Sequence, residues 1–108
     1  MLTLYHSPMS RSSRVVRLLD EMNIADKVDV RVVDIQRHDG SGRHDPANPH
    51  AEGKVPLLIH DGVVIRESNA IMLYLTDMFP QSGLGVPIGD PKRGAYLAWL
   101  CWYGNVLE

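Results

Sequence analysis

Apolar positions along the chain switch between a period of two and a period near 3.6, and each switch marks an element. Leu2-Thr3-Leu4-Tyr5 is a short β-prone run that ends at Ser7-Pro8, because proline cannot donate to a strand ladder. Val15, Leu18, Leu19 and Met22 then fall at i, i+3, i+4 and i+7, the stripe of a helix for which Ser10, Ser12 and Ser13 are available N-caps. Arg14, Arg17 and Glu21 lie off that stripe. From Val28 to Asp34 the alternation returns, with Val28, Val30 and Val32 on one side and Asp29 and Arg31 on the other, predicting a second strand. Between Arg37 and Gly53 no period is sustained, and the Gly, Pro, His and Asp content predicts an irregular segment with at most one helical turn.

Leu57-Leu58-Ile59-His60 and Val63-Val64-Ile65-Arg66 flank Asp61-Gly62. A two-residue Asp-Gly link is the strongest short hairpin signal, since both positions tolerate the positive φ of a type I′ turn. Ser68 to Phe79 follows as a helix with Ile71, Tyr74, Leu75 and Met78 on one face, stopped by Pro80. The order is strand, helix, strand, loop, hairpin, helix: an α+β domain with a small mixed sheet. Residues 80–91, rich in Gly and Pro, read as a linker. From Lys92 to Glu108 a helical stripe of Tyr96, Leu100, Tyr103 and Leu107 returns, and it must bury against something. With no later segment to cover it, the expectation is a piece of a longer protein or an oligomer.

Composition narrows the function more by exclusion than by assignment. The 108 residues suit one small domain, and 44% hydrophobic content predicts a packed core rather than disorder. A formal charge of −2 argues against a nucleic-acid or anionic-membrane partner. The single cysteine, Cys101, leaves no disulfide framework and no Cys-x-x-Cys pair, and suits a reducing cytoplasm. On an apolar helix it reads as a small buried hydrophobe, and Trp99 and Trp102 read as packing residues. His38, His44 and His50, with Asp39, Asp45 and Glu52, have no recognised metal-ligand spacing, so a solvated polar loop and no metal are expected.

Three local signatures carry chemistry. Tyr5-His6-Ser7-Pro8-Met9-Ser10-Arg11-Ser12-Ser13-Arg14 runs from strand into helix. Gly53-Lys54-Val55-Pro56-Leu57-Leu58 opens the third strand. Glu67-Ser68-Asn69-Ala70-Ile71-Met72-Leu73-Tyr74-Leu75 opens the helix after the hairpin. In that order, they resemble the N-terminal domain of the glutathione S-transferase family, in a serine-type, theta-like bacterial form. The resemblance implies a thioredoxin-like βαβαββα domain over residues 1–79, a linker over 80–91, and over 92–108 the first helix of an all-α domain. It also implies glutathione as co-substrate, a small electrophile as second substrate, a role in detoxification and a homodimer.

Residue by residue, the resemblance makes Pro56 a cis-proline, although an X–Pro bond judged on its own is trans. Val55 then offers its backbone N–H and C=O to an extended tripeptide, as an added strand does. Glu67 and Ser68 read as an acidic residue and an N-cap at a helix start. The resemblance places the γ-glutamyl carboxylate on the Ser68 hydroxyl and N–H, with Glu67 near the γ-glutamyl ammonium. Lys54 is placed for the glycyl carboxylate, and so is His38, whose simpler reading is a surface histidine.

Ser10 resembles the serine that meets the glutathione sulfur, Ser12 is the second choice, and a plain N-cap is the alternative for both. Arg11 falls where beta-type bacterial enzymes carry cysteine, and Tyr5 lies within a strand rather than at its end. A thiol of pKa about 8.5 is roughly 3% ionised at pH 7, and lowering that pKa by about two units needs roughly 2.7 kcal/mol. A hydroxyl donating to the anionic sulfur supplies about 1.5–3 kcal/mol, and the helix N-terminus about 0.3–1. One hydroxyl is therefore nearly sufficient, without a histidine base. Two other functions share these residues: a glutathione- or protein-binding module of weak catalysis, and a glutaredoxin-like reductase, which needs a cysteine where Ser10 stands.

Overall fold

The computed structural model describes residues 1–104. Strand β1 (Leu2–His6) leads to helix α1 (Ser12–Glu21), a short 3-10 turn (Ala25–Lys27) and strand β2 (Val28–Val32). Strands β3 (Leu57–His60) and β4 (Val63–Arg66) form the hairpin, and helices α2 (Ser68–Met78) and α3 (Arg93–Trp102) follow. The sheet order is β2-β1-β3-β4. β1 and β2 are parallel, which requires a crossover, and α1 supplies it. The hairpin turns as its sequence demands, with Asp61 at φ 49° and Gly62 at φ 85°.

Register sorts the sheet into two faces. Leu2, Leu4, Val28, Leu58 and Ile65 share one face, and α1 and α2 cover it with Val15, Leu19, Met22, Ile71 and Leu75. Tyr5 and Leu57 point to the other face and pack with Val33, Val55 and Ile59 under the long segment between β2 and β3. That segment consists of turns, with no α-helix among its residues, where the family arrangement implied one. The second strand lies where the alternation put it, at Val28–Val32. Val28 is buried, but Val30 and Val32 are exposed, because β2 is an edge strand and the helices stand over the middle of the sheet.

The stripe on α3 meets α2. The Tyr96 hydroxyl lies 2.8 Å from Thr76 Oγ1, Arg93 pairs with Asp77 at 3.1 Å, and Tyr96 and Leu100 are half-buried. Tyr103 stays exposed with the Arg14 guanidinium 4.6 Å above its ring, and Leu107 lies outside the described residues. Two expectations fail on this helix. Cys101 is exposed, and Trp99 and Trp102 are 68% and 43% exposed and meet edge to face. Apolar residues off the stripe as well as on it leave a helix with apolar side chains facing outward. Among the described residues, no helix is long and apolar enough to cross a membrane.

Candidate functional site

The turn between β1 and α1 is tied together by short polar side chains. Ser10 Oγ donates to the Ser7 carbonyl at 2.6 Å and accepts the Ser12 N–H at 3.2 Å, so it caps α1 from just outside the helix. Ser12 is fully enclosed at 0% exposure. Its Oγ accepts the buried Ser7 N–H at 3.0 Å, and lies 2.7 Å from Ser10 Oγ and 2.7 Å from His6 Nδ1. It also lies 3.2 Å from the Ser7 carbonyl. Burial lowers the His6 pKa, favouring the neutral ring that can accept at Nδ1. Within the turn Met9 adopts φ 56°, a left-handed conformation unfavourable for a side chain by about 1 kcal/mol. Arg37 clamps it from the long segment, donating to the Pro8 carbonyl at 2.7 Å, the Met9 carbonyl at 3.0 Å and Ser7 Oγ at 3.2 Å.

The second wall is the approach to β3. The Val55–Pro56 bond is cis. Asn48, buried, donates from Nδ2 to the Lys54 carbonyl at 3.1 Å and accepts the His50 N–H at 3.0 Å. His50 is buried too, contrary to the expected solvated loop, and its Nδ1 accepts the Glu52 N–H at 3.0 Å. Gly53 has φ 68° with the His44 ring close by, so a side chain there is both strained and in collision. The exposed Lys54 ammonium lies 3.5 Å from the Glu52 carboxylate. The third wall begins with Glu67, which stands before α2 at φ 75° and ψ 124°, an unusual backbone for a residue with a side chain. Ser68, buried, is the first residue of α2.

A groove of about 600 Å³ opens between these walls, lined by Met9, Ser10, Arg37, His38, Lys54 and Val55 among others. Beside it, a hollow of about 370 Å³ is lined by Glu67, Ser68, Asn69, Leu100 and Cys101, and Arg11 borders both. The chain thus gathers Ser10, His38, Lys54 and Val55 in one groove, with Glu67 and Ser68 next to it. Ser12 lies beneath the floor rather than in it, and Tyr5 packs on the far face of the sheet. Residues that sequence reasoning missed are His6, Arg37, Asn48 and Arg11. Among the described residues, no three His, Cys, Asp or Glu side chains are grouped as metal ligands.

Residues 1–77 match the family model for the glutathione S-transferase N-terminal domain. The chain belongs to the glutathione S-transferase family. It is similar to a solved glutathione transferase of Methylococcus capsulatus, at 29% identity and TM-score 0.78, covering 97% of this chain and 51% of that one. A sphingomonad glutathione S-transferase solved with glutathione gives 30% identity and TM-score 0.77, covering 95% and 51%. Protein LigF of Sphingobium is 47% identical over 51 residues, which are 46% of this chain and 20% of LigF. The transferase-family chain described here spans about half the length of these two solved relatives.

His50 makes an acid-sensitive point in this site. Its pKa is lowered first by burial, then by Arg66, with a smaller contribution from Lys54. The unfolded chain takes up a proton that the folded chain resists. Stability is therefore full above about pH 6.5 and falls as pH drops through the lower folded value, and His6 acts in the same direction. Asp39, Asp45 and Asp61 also have lowered pKa values, but they lose their contribution only below about pH 4. Urea denaturation is expected to show a lower midpoint at pH 5.5 than at pH 7.5. His50→Gln is expected to lower stability at pH 7.5 by about 1 kcal/mol and to narrow that difference.

Proposed function

We propose that this chain is the glutathione-binding part of a transferase that stabilises the glutathione thiolate for attack on a small electrophile. Residues 1–79 form its thioredoxin-like domain, 80–91 its linker and 92–108 the opening helix of a helical domain, in a cytoplasmic homodimer. The observation that carries the reading is the convergence of Ser10, Lys54 and Val55 on one groove, beside the Glu67–Ser68 start of α2. The sphingomonad relative, solved with glutathione, supports the ligand.

The tripeptide lies extended along Val55, exchanging backbone hydrogen bonds with it as an added strand. Its γ-glutamyl carboxylate meets the N-terminus of α2 at Ser68, with Glu67 facing the ammonium. Its glycyl carboxylate takes Lys54 from Glu52, and His38 adds a donor. Its sulfur meets the Ser10 hydroxyl, which turns from the Ser7 carbonyl toward the anion, while Ser12 holds Ser10 from below.

Calorimetric titration with reduced glutathione and absorbance near 240 nm against pH test the reading together. Binding with the thiol pKa lowered by about one to two units is expected, matching one hydroxyl and one helix terminus. Binding with an unshifted thiol identifies a binding module without turnover, and no binding rejects glutathione altogether. Ser68→Ala is expected to weaken binding about tenfold, equivalent to the loss of one hydrogen bond to a charged group.

A further inference from the structure

The mechanism proposed above uses one hydroxyl, yet the structure builds three polar groups into a line beneath the groove. Ser10 Oγ, Ser12 Oγ and His6 Nδ1 are joined by two links of 2.7 Å each. Ser12 is enclosed, whereas His6 is half-buried at the end of β1. A buried hydroxyl between a groove residue and a ring that reaches solvent is more than a helix cap needs.

We propose that His6, through Ser12 and Ser10, receives the proton that glutathione gives up when its thiolate forms. The inference rests on the glutathione reading and adds the route by which the proton leaves.

Once the Ser10 hydroxyl turns away from the Ser7 carbonyl, the hydrogen-bond capacity of the line allows two arrangements. With a thiol bound, the S–H donates to Ser10 Oγ, the Ser10 hydroxyl to Ser12 Oγ, and the Ser12 hydroxyl to His6 Nδ1. Ser10 Oγ also accepts the Ser12 N–H, and Ser12 Oγ the Ser7 N–H, so neither oxygen is over- or under-used. With a thiolate bound, every link reverses. His6 Nδ1–H donates to Ser12, Ser12 to Ser10, and Ser10 to the sulfur anion, while both backbone N–H groups stay where they were.

Passing between the two arrangements moves one proton along each link. The S–H, Ser10 O–H and Ser12 O–H bonds break, and new bonds form at Ser10 Oγ, Ser12 Oγ and Nδ1. Sulfur becomes an anion and His6 an imidazolium. The imidazolium then releases its Nε2 proton to water and returns to neutral with the other tautomer. Burial of the ring favours that release. His6 never touches sulfur, so it is a positioning and proton-receiving residue rather than a catalytic one.

Stopped-flow absorbance near 240 nm on mixing with reduced glutathione, in weak buffer, tests the relay. His6→Asn keeps a side-chain donor for Ser12 but cannot carry a proton through. It is expected to leave the equilibrium amount of bound thiolate within about twofold of wild type. Thiolate formation is expected to slow by about 100-fold, the lower edge of what positioned proton transfer contributes. Added imidazole is expected to restore the rate in His6→Ala, whose fold is checked by circular dichroism. A wild-type rate in His6→Asn overturns the relay. So does a loss of equilibrium thiolate that matches the loss of rate, which marks His6 as a packing residue only. Failure of wild-type protein to bind glutathione overturns both this inference and the function beneath it, whereas binding with a lowered thiol pKa and an unaffected His6→Asn overturns the relay alone.

Discussion

Ser10→Ala is expected to return the thiol of bound glutathione most of the way to its free pKa and, on the proposed function, to lower the conjugation kcat/KM by about 10- to 150-fold. The range converts the roughly 1.5–3 kcal/mol of a hydrogen bond to a charged group at about 1.4 kcal/mol per factor of ten. Stability falls by only about 1 kcal/mol, the usual loss for a cap hydroxyl, because the Ser12 N–H and the Ser7 carbonyl lose Ser10 Oγ while Ser12 keeps both the Ser7 N–H and His6 as partners. Ser12→Ala behaves differently. It strands the buried Ser7 N–H and lowers stability by about 1–3 kcal/mol as well as loosening Ser10. Thiolate absorbance against pH and urea denaturation, measured on both variants, separate the two roles. An unchanged thiol pKa in Ser10→Ala removes Ser10 from the chemistry.

Leu58→Ala lowers stability by about 2–5 kcal/mol, the range for emptying a fully packed leucine site. Leu58 is 0% exposed at the middle of β3, with Leu4 opposite it on β1 and Ile65 on β4. Leu19, Ile71 and Leu75 from α1 and α2 belong to the same cluster, so no neighbour is free to collapse into the space. A domain of this size has about 5–15 kcal/mol in total, and the melting temperature falls by about 10–25 °C. On the proposed function, glutathione affinity is expected to fall with it, because Val55 and Pro56 lead directly into β3. Val63→Ala, at a position 62% exposed on the edge strand, is expected to change stability by no more than about 0.5 kcal/mol. A Leu58→Ala protein within about 1 kcal/mol of wild type contradicts the packing described here.

Local pattern carried most of the secondary structure. The hairpin strands fall where the two apolar tetrapeptides and the Asp-Gly link put them, and α1 and α2 begin and end within a residue or two of the sequence reading. The three signatures also carried the family, because each is a contiguous run whose chemistry is set by neighbours in sequence. Where the reading failed, burial was the missing quantity. Cys101 lies on an apolar helix yet faces out, and His50 was read as solvated yet is enclosed.

The order of elements and the turn chemistry at Asp61-Gly62 were legible in runs of neighbouring residues, as were the residue types proposed to hold a peptide and a sulfur. Long-range packing is what brings Arg37 onto the Pro8 and Met9 carbonyls, sets Asn48 and His50 along the approach to Val55, and places Ser12 beneath Ser10 with His6 behind it. Periodicity and turn propensity are properties of a few adjacent residues, whereas which hydroxyl is enclosed depends on what the rest of the chain packs around it.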